Sequence, residues 1–255
     1  EVGGSLTYRR GGGPVLARLS VRASSVPSIR TMTGATCTGW FEDNWLSLMQ
    51  GRTLHRVRAT QVIFATGALE QPAVFRNNDL PGVMLSTAAQ RLIRHYAVRP
   101  GSRAVILTSN QQGYRTALDM LEAGVEIAAI VDPRPCNRTD VRSEELRGHG
   151  IEILRGGWID EAYGTSGNRH LRMVRVADRR IPCDTLLVAI GSAPAWQLPC
   201  QAGARLTTDH ETGRLSLTKP ATTIELAGSV NGYFGLEAAC IDGERAASAA
   251  LQRLG

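Results

Sequence analysis

No two of the five cysteines, Cys37, Cys136, Cys183, Cys200 and Cys240, stand at C-x-x-C spacing. Zinc ribbons, iron–sulfur clusters and thioredoxin-like redox pairs therefore lack support. An odd number of thiols without framework spacing fits a reducing, cytoplasmic setting. Long apolar runs are also missing. Stretches such as Ile127–Val131 have strand length, far short of the ~18 residues at which a membrane span begins, so no membrane segment is expected. The five histidines lie apart with no H-x-x-x-H pair, so none reads as a metal ligand. No serine sits in G-x-S-x-G, and no catalytic nucleophile or acid–base pair stands out. Internal repeats and low-complexity tracts are absent, which excludes solenoids and propellers. The chain opens on Glu1 without a basic and then apolar leader, which reads as a start in mid-sequence.

What is present is a chain of 255 residues, 43% apolar, long enough for one large domain or two smaller ones. The net charge is +6, but its arginines (Arg9-Arg10, Arg52, Arg56, Arg58, Arg179-Arg180) are scattered. A nucleic-acid binder needs a clustered basic face, so no nucleic-acid partner is expected. The excess is explained as well by an acidic partner subunit or by a phosphate-binding site.

Along the chain, strand and helix signals alternate. A helix is expected at Pro14–Ser24, with proline in its first turn. Short strands are expected around Ile29–Thr36 and Leu54–Arg58, and a buried strand from Val62 to Ala65 ending at Gly67. A proline-rich loop and a helix from Thr87 to about Ala97 lead to the Pro100-Gly101 turn. Next comes "RAVILTSNQQGYRTALDMLEAGVEIAAIVD", Arg103 to Asp132, which reads as strand, loop, helix, strand and acidic residue. A helix at Asp140–Arg147 and the strand "IEIL" follow, then an antiparallel stretch with a turn at Gly167-Asn168, then the buried strand "LLVAIG". A strand at Thr223–Ala227 and an alanine-rich helix close the chain. The alternation predicts an α/β parallel-sheet architecture with a small antiparallel insert. The expected segments are 1–98 and 192–255 for a first dinucleotide-binding domain and 99–191 for a second Rossmann-like unit inserted in it.

Three elements carry chemistry. In the Arg103–Asp132 unit, the G-x-G-x-x-G fingerprint has decayed to Thr108-Ser109-Asn110-Gln111-Gln112-Gly113. Only the third glycine, the one that lets helix and strand pack closely, survives. Asn110 tolerates a tight turn, but any Cβ there intrudes where a pyrophosphate would approach. This unit is expected to be a structural frame, with Asp132 placed where an acidic residue ordinarily binds ribose. The paired strands Val62–Gly67 and Leu186–Gly191 each end in glycine beside where a dinucleotide would run. The third element, "ELAGSVNGYFGLEAACIDGERAA", turns at Gly228–Gly232 into a helix whose N-terminus suits an anion. Ser229 stands where many flavoproteins have the aspartate of a Gly-Asp turn.

These residues carry a resemblance. "ATGALEQPAVFRNNDLPGVMLSTAAQRL" resembles a segment of the α subunits of heterotetrameric sarcosine oxidases, and related amine and opine oxidase subunits share it. "ILTSNQQGYRTALDMLEAGVEIAAIVD" is similar to that family's second Rossmann unit, and "LAGSVNGYFGLEAACIDGERAA" to its closing turn. "EVGGSL" and "GWFEDN" resemble the segment after its second strand and a later strand.

The resemblance implies a Rossmann-like two-dinucleotide-binding flavoprotein fold and an NAD- or FAD-dependent oxidoreductase subunit whose substrates are secondary or tertiary amines. It also implies a partner subunit that holds FAD, and an FMN at the contact with that subunit. The first βαβ arm would precede Glu1 and a folate region would follow Gly255. Stretches before Pro27 and before Arg56 are short, so this chain alone is expected to be inactive. The residues expected to touch a dinucleotide are Gly3, Gly4, Ala65, Thr66, Gly67, Gly228, Ser229, Asn231 and Gly232. A non-catalytic scaffold domain with a decayed site, assembling with partner subunits, is the alternative.

Overall fold

The computed structural model describes residues 2–135, 141–167, 169–210, 213–218 and 220–255. Cys136, Asp140 of the expected helix and Asn168 of the expected turn lie outside the described residues. The chain forms two compact units, one of residues 30–69 and 192–255 and the other of 2–29 and 70–191. Residues 2–29 and 70–98, read from the sequence with the first segment, thus pack with 99–191.

The larger unit is built on a five-stranded sheet in the order Val83–Leu85, Thr185–Ala189, Arg103–Thr108, Glu126–Asp132 and Ile153–Arg155. All its pairings are parallel. A parallel sheet is covered on both faces, so its strands are near-continuous apolar runs, and Ala104, Val105, Ile106 and Leu107 are all fully buried. Alternation splits them. Val105, Leu107, Val131, Leu186 and Val188 face one core, shared with Ile159, Leu171 and Val174 of the antiparallel insert. Ala104, Ile106, Ile130 and Leu187 face another, filled by Tyr114, Ala117, Met120 and Leu146. The insert has three strands, Glu161–Gly164, Leu171–Val176 and Arg179–Pro182. The third, charged at Arg179-Arg180, gave no apolar signal in the sequence.

The segment that carries the family resemblance does structural work here. Glu70 accepts hydrogen bonds from Ser86 Oγ and from the Thr87 amide at 2.9 Å and hydroxyl at 2.8 Å. It thereby caps helix Ser86–Tyr96 from outside, where Leu85 offers no capping oxygen. Asn77, at φ 61°, donates to the Ala162 carbonyl at 2.9 Å, and Asn78 to that of Ala73 at 2.8 Å. Gly82 sits at φ 107°, where a Cβ would come within 2.5 Å of the Asp184 carbonyl oxygen. Helix Ser86–Tyr96 lies on helix Gln111–Glu122 through a polar chain: Gln112 to Gln90 (2.7 Å), Gln90 to buried Asp119 (2.6 Å), Arg94 to Asp119 (2.8 Å).

The smaller unit has an antiparallel sheet of Ala35–Phe41, Trp45–Gln50 and Thr53–Arg58. The first strand begins six residues later than expected at Ile29. The middle strand, overlooked because Trp45–Gln50 lacks clean alternation, follows a tight turn with Asp43 and Asn44 at φ 57° and 54°. A hairpin joins Leu206–Thr208 to Leu215–Leu217. Strands Val62–Phe64 and Ile224–Leu226 pair in parallel, and helix Leu236–Leu254 follows. Ile63, expected to be buried, is 41% exposed.

Candidate functional site

The decayed fingerprint forms a turn in which the side chains of Thr108, Ser109, Asn110 and Gln112 are hydrogen-bonded within the protein. Asn110 caps helix Gln111–Glu122: its side-chain oxygen accepts from the Gln112 amide at 2.8 Å and its NH₂ donates to the Ala189 carbonyl at 3.0 Å. Thr108, buried, donates to the Asn110 carbonyl at 2.8 Å. Gly113 is required by Thr108, because a Cβ at 113 would collide with the Thr108 side chain. The surviving glycine therefore serves helix–strand packing.

Asp132, the residue at the ribose position, is fully buried and saturated. Its carboxylate accepts from the Tyr114 hydroxyl (2.5 Å), the Arg134 amide (3.0 Å) and guanidinium (3.0 and 2.8 Å), and Arg155 (2.6 Å). Burial alone raises a carboxyl pKa, but here the hydrogen bonds from Arg134 and Tyr114 outweigh it and hold Asp132 below the ordinary range. Burial, reinforced by the bond to Asp132, pushes the Tyr114 phenol up to about 12. A ribose at this position would have to displace these charge-assisted bonds.

In the smaller unit the end of strand Val62–Phe64 and the turn after Ile224–Leu226 come together, whereas Leu186–Gly191, read from the sequence as the companion of Val62–Gly67, lies in the sheet of the larger unit. Parallel pairing aligns Leu226 with Phe64, and the Ala227 amide donates to the Phe64 carbonyl at 3.0 Å. The ends Ala65-Thr66-Gly67 and Gly228-Ser229 therefore leave the pair side by side. Thr66 donates its hydroxyl to the Ala195 carbonyl at 3.2 Å, and the Ala195 amide donates to the Gly67 carbonyl at 3.0 Å. A Cβ built on Gly67 would meet only Ser229 Oγ, at 3.8 Å, and one on Gly232 nothing within 4 Å. Gly67 (φ 82°), Gly228 (φ 75°) and Gly232 (φ 86°) are all left-handed, a conformation glycine adopts without penalty. The result is an edge of largely bare backbone at the ends of the two strands.

The buried side of that turn is held by a charge network. Asp242, with its side chain fully buried on helix Leu236–Leu254, accepts from the Gly228 amide at 2.9 Å and from Asn231 Nδ2 at 3.0 and 3.2 Å. It also takes Arg245 Nε at 2.7 Å. Arg245 reaches on to Glu225 (2.9 Å) and the Leu226 carbonyl (2.7 Å), and Arg253 caps Glu225 at 2.7 Å. Burial opposes ionisation of Asp242, but its bonds from Arg245, Asn231 and Gly228 outweigh this and lower its pKa.

No family model matches the chain. The alpha subunit of sarcosine oxidase from Rhizobium meliloti (strain 1021) is 28% identical over 249 residues, covering 91% of this chain and 24% of that protein. The chain is a homologue of sarcosine oxidase alpha subunits. An opine oxidase subunit from Agrobacterium tumefaciens (strain Ach5) is 27% identical over 266 residues, 92% of this chain and 49% of that protein. The chain thus spans about a quarter of its sarcosine oxidase relative and about half of its opine oxidase relative. The fold is the Rossmann-like fold of FAD/NAD-dependent oxidoreductases. Thioredoxin reductase of T. acidophilum superposes with a TM-score of 0.74 at 18% identity, covering 98% of this chain and 87% of that one.

In this sarcosine oxidase alpha homologue, seven of the nine residues read as dinucleotide contacts lie in the smaller unit: Ala65, Thr66 and Gly67 on one strand end, Gly228, Ser229, Asn231 and Gly232 on the turn beside it. Gly3 and Gly4 belong to the larger unit, where Gly3 (φ 97°) opens a short 3-10 turn. Sequence reading missed Asp242, Arg245 and Glu225. The available signal was Asp242 and Arg245 three apart in an alanine-rich helix, a spacing that pairs them on one face. Among the described residues no group of three His, Cys, Asp or Glu is placed to hold a metal. No helix among them is long and apolar enough to cross a membrane.

Proposed function

We propose that this chain supplies part of the dinucleotide site of a flavin- and NAD-dependent oxidoreductase subunit whose substrate is a secondary or tertiary amine. The observation that carries the reading is the pairing of two glycine-ended strand termini, 65–67 and 228–232, into one bare edge. There Gly228–Gly232 hold NAD or FAD at its phosphates, and Thr66-Gly67 pass beside the adenosine half or the linker. Gly3 and Gly4 join the proposed contacts on the family resemblance alone. A bound nicotinamide or flavin supplies hydride acceptance; the chain's own residues bind and orient it, and none takes a catalytic role. Residues 30–69 and 192–255 form the dinucleotide-binding domain, and the sheet unit is an inserted Rossmann-like frame without a ligand of its own.

The names of the relatives, subunits of sarcosine and opine oxidases, support an amine substrate and partner subunits. In this reading a partner flavoprotein subunit carries FAD and the amine site, an FMN sits at the contact with it, and the assembly works in the cytoplasm.

The test is calorimetric titration of the full-length polypeptide with NAD and with FAD. Gly67→Val is expected to abolish binding, while Asp132→Ala, in a fold that survives, leaves it unchanged. Binding that Asp132→Ala removes and Gly67→Val spares would overturn the assignment. The scaffold reading has one observation in its favour, that Asp242 already takes the Gly228 amide and the Asn231 side chain. It predicts partner assembly with no dinucleotide bound at all.

A further inference from the structure

A carboxylate next to a phosphate-binding turn is an unfavourable neighbour on charge grounds, because it repels the anion that the turn receives. Asp242 escapes this objection for two reasons. Its side chain is fully buried, and its charge is paired with Arg245 Nε at 2.7 Å. Its oxygens are also committed to the turn itself. They take the Gly228 amide at 2.9 Å and Asn231 Nδ2 at 3.0 Å, the first and last residues of the 3-10 turn Gly228–Asn231. Gly232, at φ 86°, then closes the turn with its amide on the Ser229 carbonyl at 3.2 Å, and the Tyr233 amide returns to Gly228 at 3.1 Å. The turn is thus clamped at both ends from its buried side.

We infer that Asp242 is a positioning residue for the dinucleotide: it holds the Gly228–Asn231 turn in the conformation that sets Ser229 beside Gly67. The inference rests on the dinucleotide reading of that edge. It also divides the labour among the turn residues. Gly228 and Asn231 face the clamp, and Ser229 and Gly232 face the ligand. Three-residue spacing on the helix gives the clamp its stiffness, because Arg245 fixes Asp242 from one side and is itself tied to strand Ile224–Leu226 through Glu225 and the Leu226 carbonyl. The strand, turn and helix are locked to one another before any ligand arrives, so the ligand does not bear the entropy of ordering the turn.

The experiment compares affinity with stability in the full-length polypeptide. Dissociation constants for NAD and FAD come from calorimetry, and Tm of the ligand-free protein from thermal unfolding. Asp242→Asn turns one of the two accepting oxygens into an NH₂, which must face either the Gly228 amide or Arg245, both donors, and is expected to weaken dinucleotide binding about ten-fold or more, the scale of one lost charge-assisted hydrogen bond. Asn231→Ala breaks one arm of the clamp without leaving a buried charge unpaired, and is expected to weaken binding about three- to ten-fold with little change in Tm. Arg253→Gln breaks the far end of the network, at Glu225, and lowers Tm without touching the turn. It is expected to leave the dissociation constant within about two-fold of wild type.

A purely structural Asp242 makes affinity follow Tm, so Arg253→Gln would then weaken binding in proportion to its Tm loss; that result overturns the inference. If Asp242→Asn does not fold, Asn231→Ala decides: weaker binding supports the clamp, and unchanged binding overturns it. Wild-type protein that binds neither NAD nor FAD overturns the site reading and this inference with it. Binding abolished by Gly67→Val but unchanged by both Asp242→Asn and Asn231→Ala overturns this inference alone.

Discussion

Two strand–turn–helix elements of this chain share an outline and differ in where their carboxylate lies. After strand Arg103–Thr108 the turn leads into a helix whose neighbouring strand ends at Asp132. That carboxylate, at the position a ribose would reach, is filled by Tyr114, Arg134 and Arg155. After strand Ile224–Leu226 the turn leads into a helix that carries its carboxylate, Asp242, on the buried side. The first arrangement puts the protein's own donors where a ligand would sit. The second spends the carboxylate on shaping the turn and leaves the glycine edge bare. A Rossmann frame is therefore not by itself a binding site; what matters is whether its acidic group faces the ligand, its own side chains or the turn.

The largest effect that sharpens this contrast is Asp132→Ala. It leaves Arg155 and the Tyr114 hydroxyl buried without their partner, and breaking a buried ion pair in this way costs about 3–5 kcal/mol. Urea unfolding should show that loss while the dinucleotide affinity of the folded fraction stays unchanged; a loss of affinity instead would mean that the two elements are not opposites.

Next comes Gly228→Val. A Cβ there has room, since Ala239 Cβ is 3.7 Å away, but φ 75° puts a β-branched residue in the left-handed region. The strain, about 1–2 kcal/mol at least, falls on the turn, and dinucleotide titration should weaken by about ten-fold or more. An unchanged dissociation constant would remove the turn from the site.

Tyr114→Phe is expected to cost less stability than Asp132→Ala does, about 1.5–3 kcal/mol for a hydroxyl donating to a buried carboxylate. Its signature is the pH dependence. An unfolded tyrosine ionises near pH 10 and Tyr114 at about 12. Its contribution is present below pH 10 and is lost as pH rises towards 12. Tyr114→Phe should flatten that alkaline limb. Asp132 acts in the opposite direction: its folded pKa is depressed, so its contribution holds above the ordinary carboxylate pKa of about 4 and is lost as pH falls through the depressed value. Equilibrium unfolding across both limbs measures the two terms separately.

The smallest effect is Ser229→Ala, which removes a hydroxyl at the edge and should change both stability and affinity by no more than about 0.5 kcal/mol. A larger loss in titration would make the hydroxyl itself a ligand contact.

Much of the fold was legible in the residues. The apolar runs of the parallel sheet follow from local pattern, but Asn110, read as tolerant of a tight left-handed turn, is extended at φ −151° and caps the helix instead. Strand Trp45–Gln50 was overlooked because neither of its faces is well buried, so the alternation on which the reading depends is faint. Arg179–Pro182 was hidden because three of its four residues face solvent. In the proposed site, Gly67 and Gly228–Gly232 were legible as glycine-bearing strand ends. The clamp was not, because Asp242 reads as one more polar residue of an amphipathic helix until Gly228, fourteen positions earlier, is brought against it.

The sequence alone determined much of the local backbone: the buried strands of the parallel sheet, most of the helices, and the glycine-ended turns that follow strands. Those are short-range properties, set by a residue and its near neighbours. Only the tertiary structure decided what each charged side chain faces. Asp132 finds Arg155 from 23 positions away and Tyr114 from 18, and the side chain for which Gly113 makes room proves to be Thr108. A buried charge is stable only with its partners around it, and those partners come from whichever elements the packing of the apolar cores brings alongside.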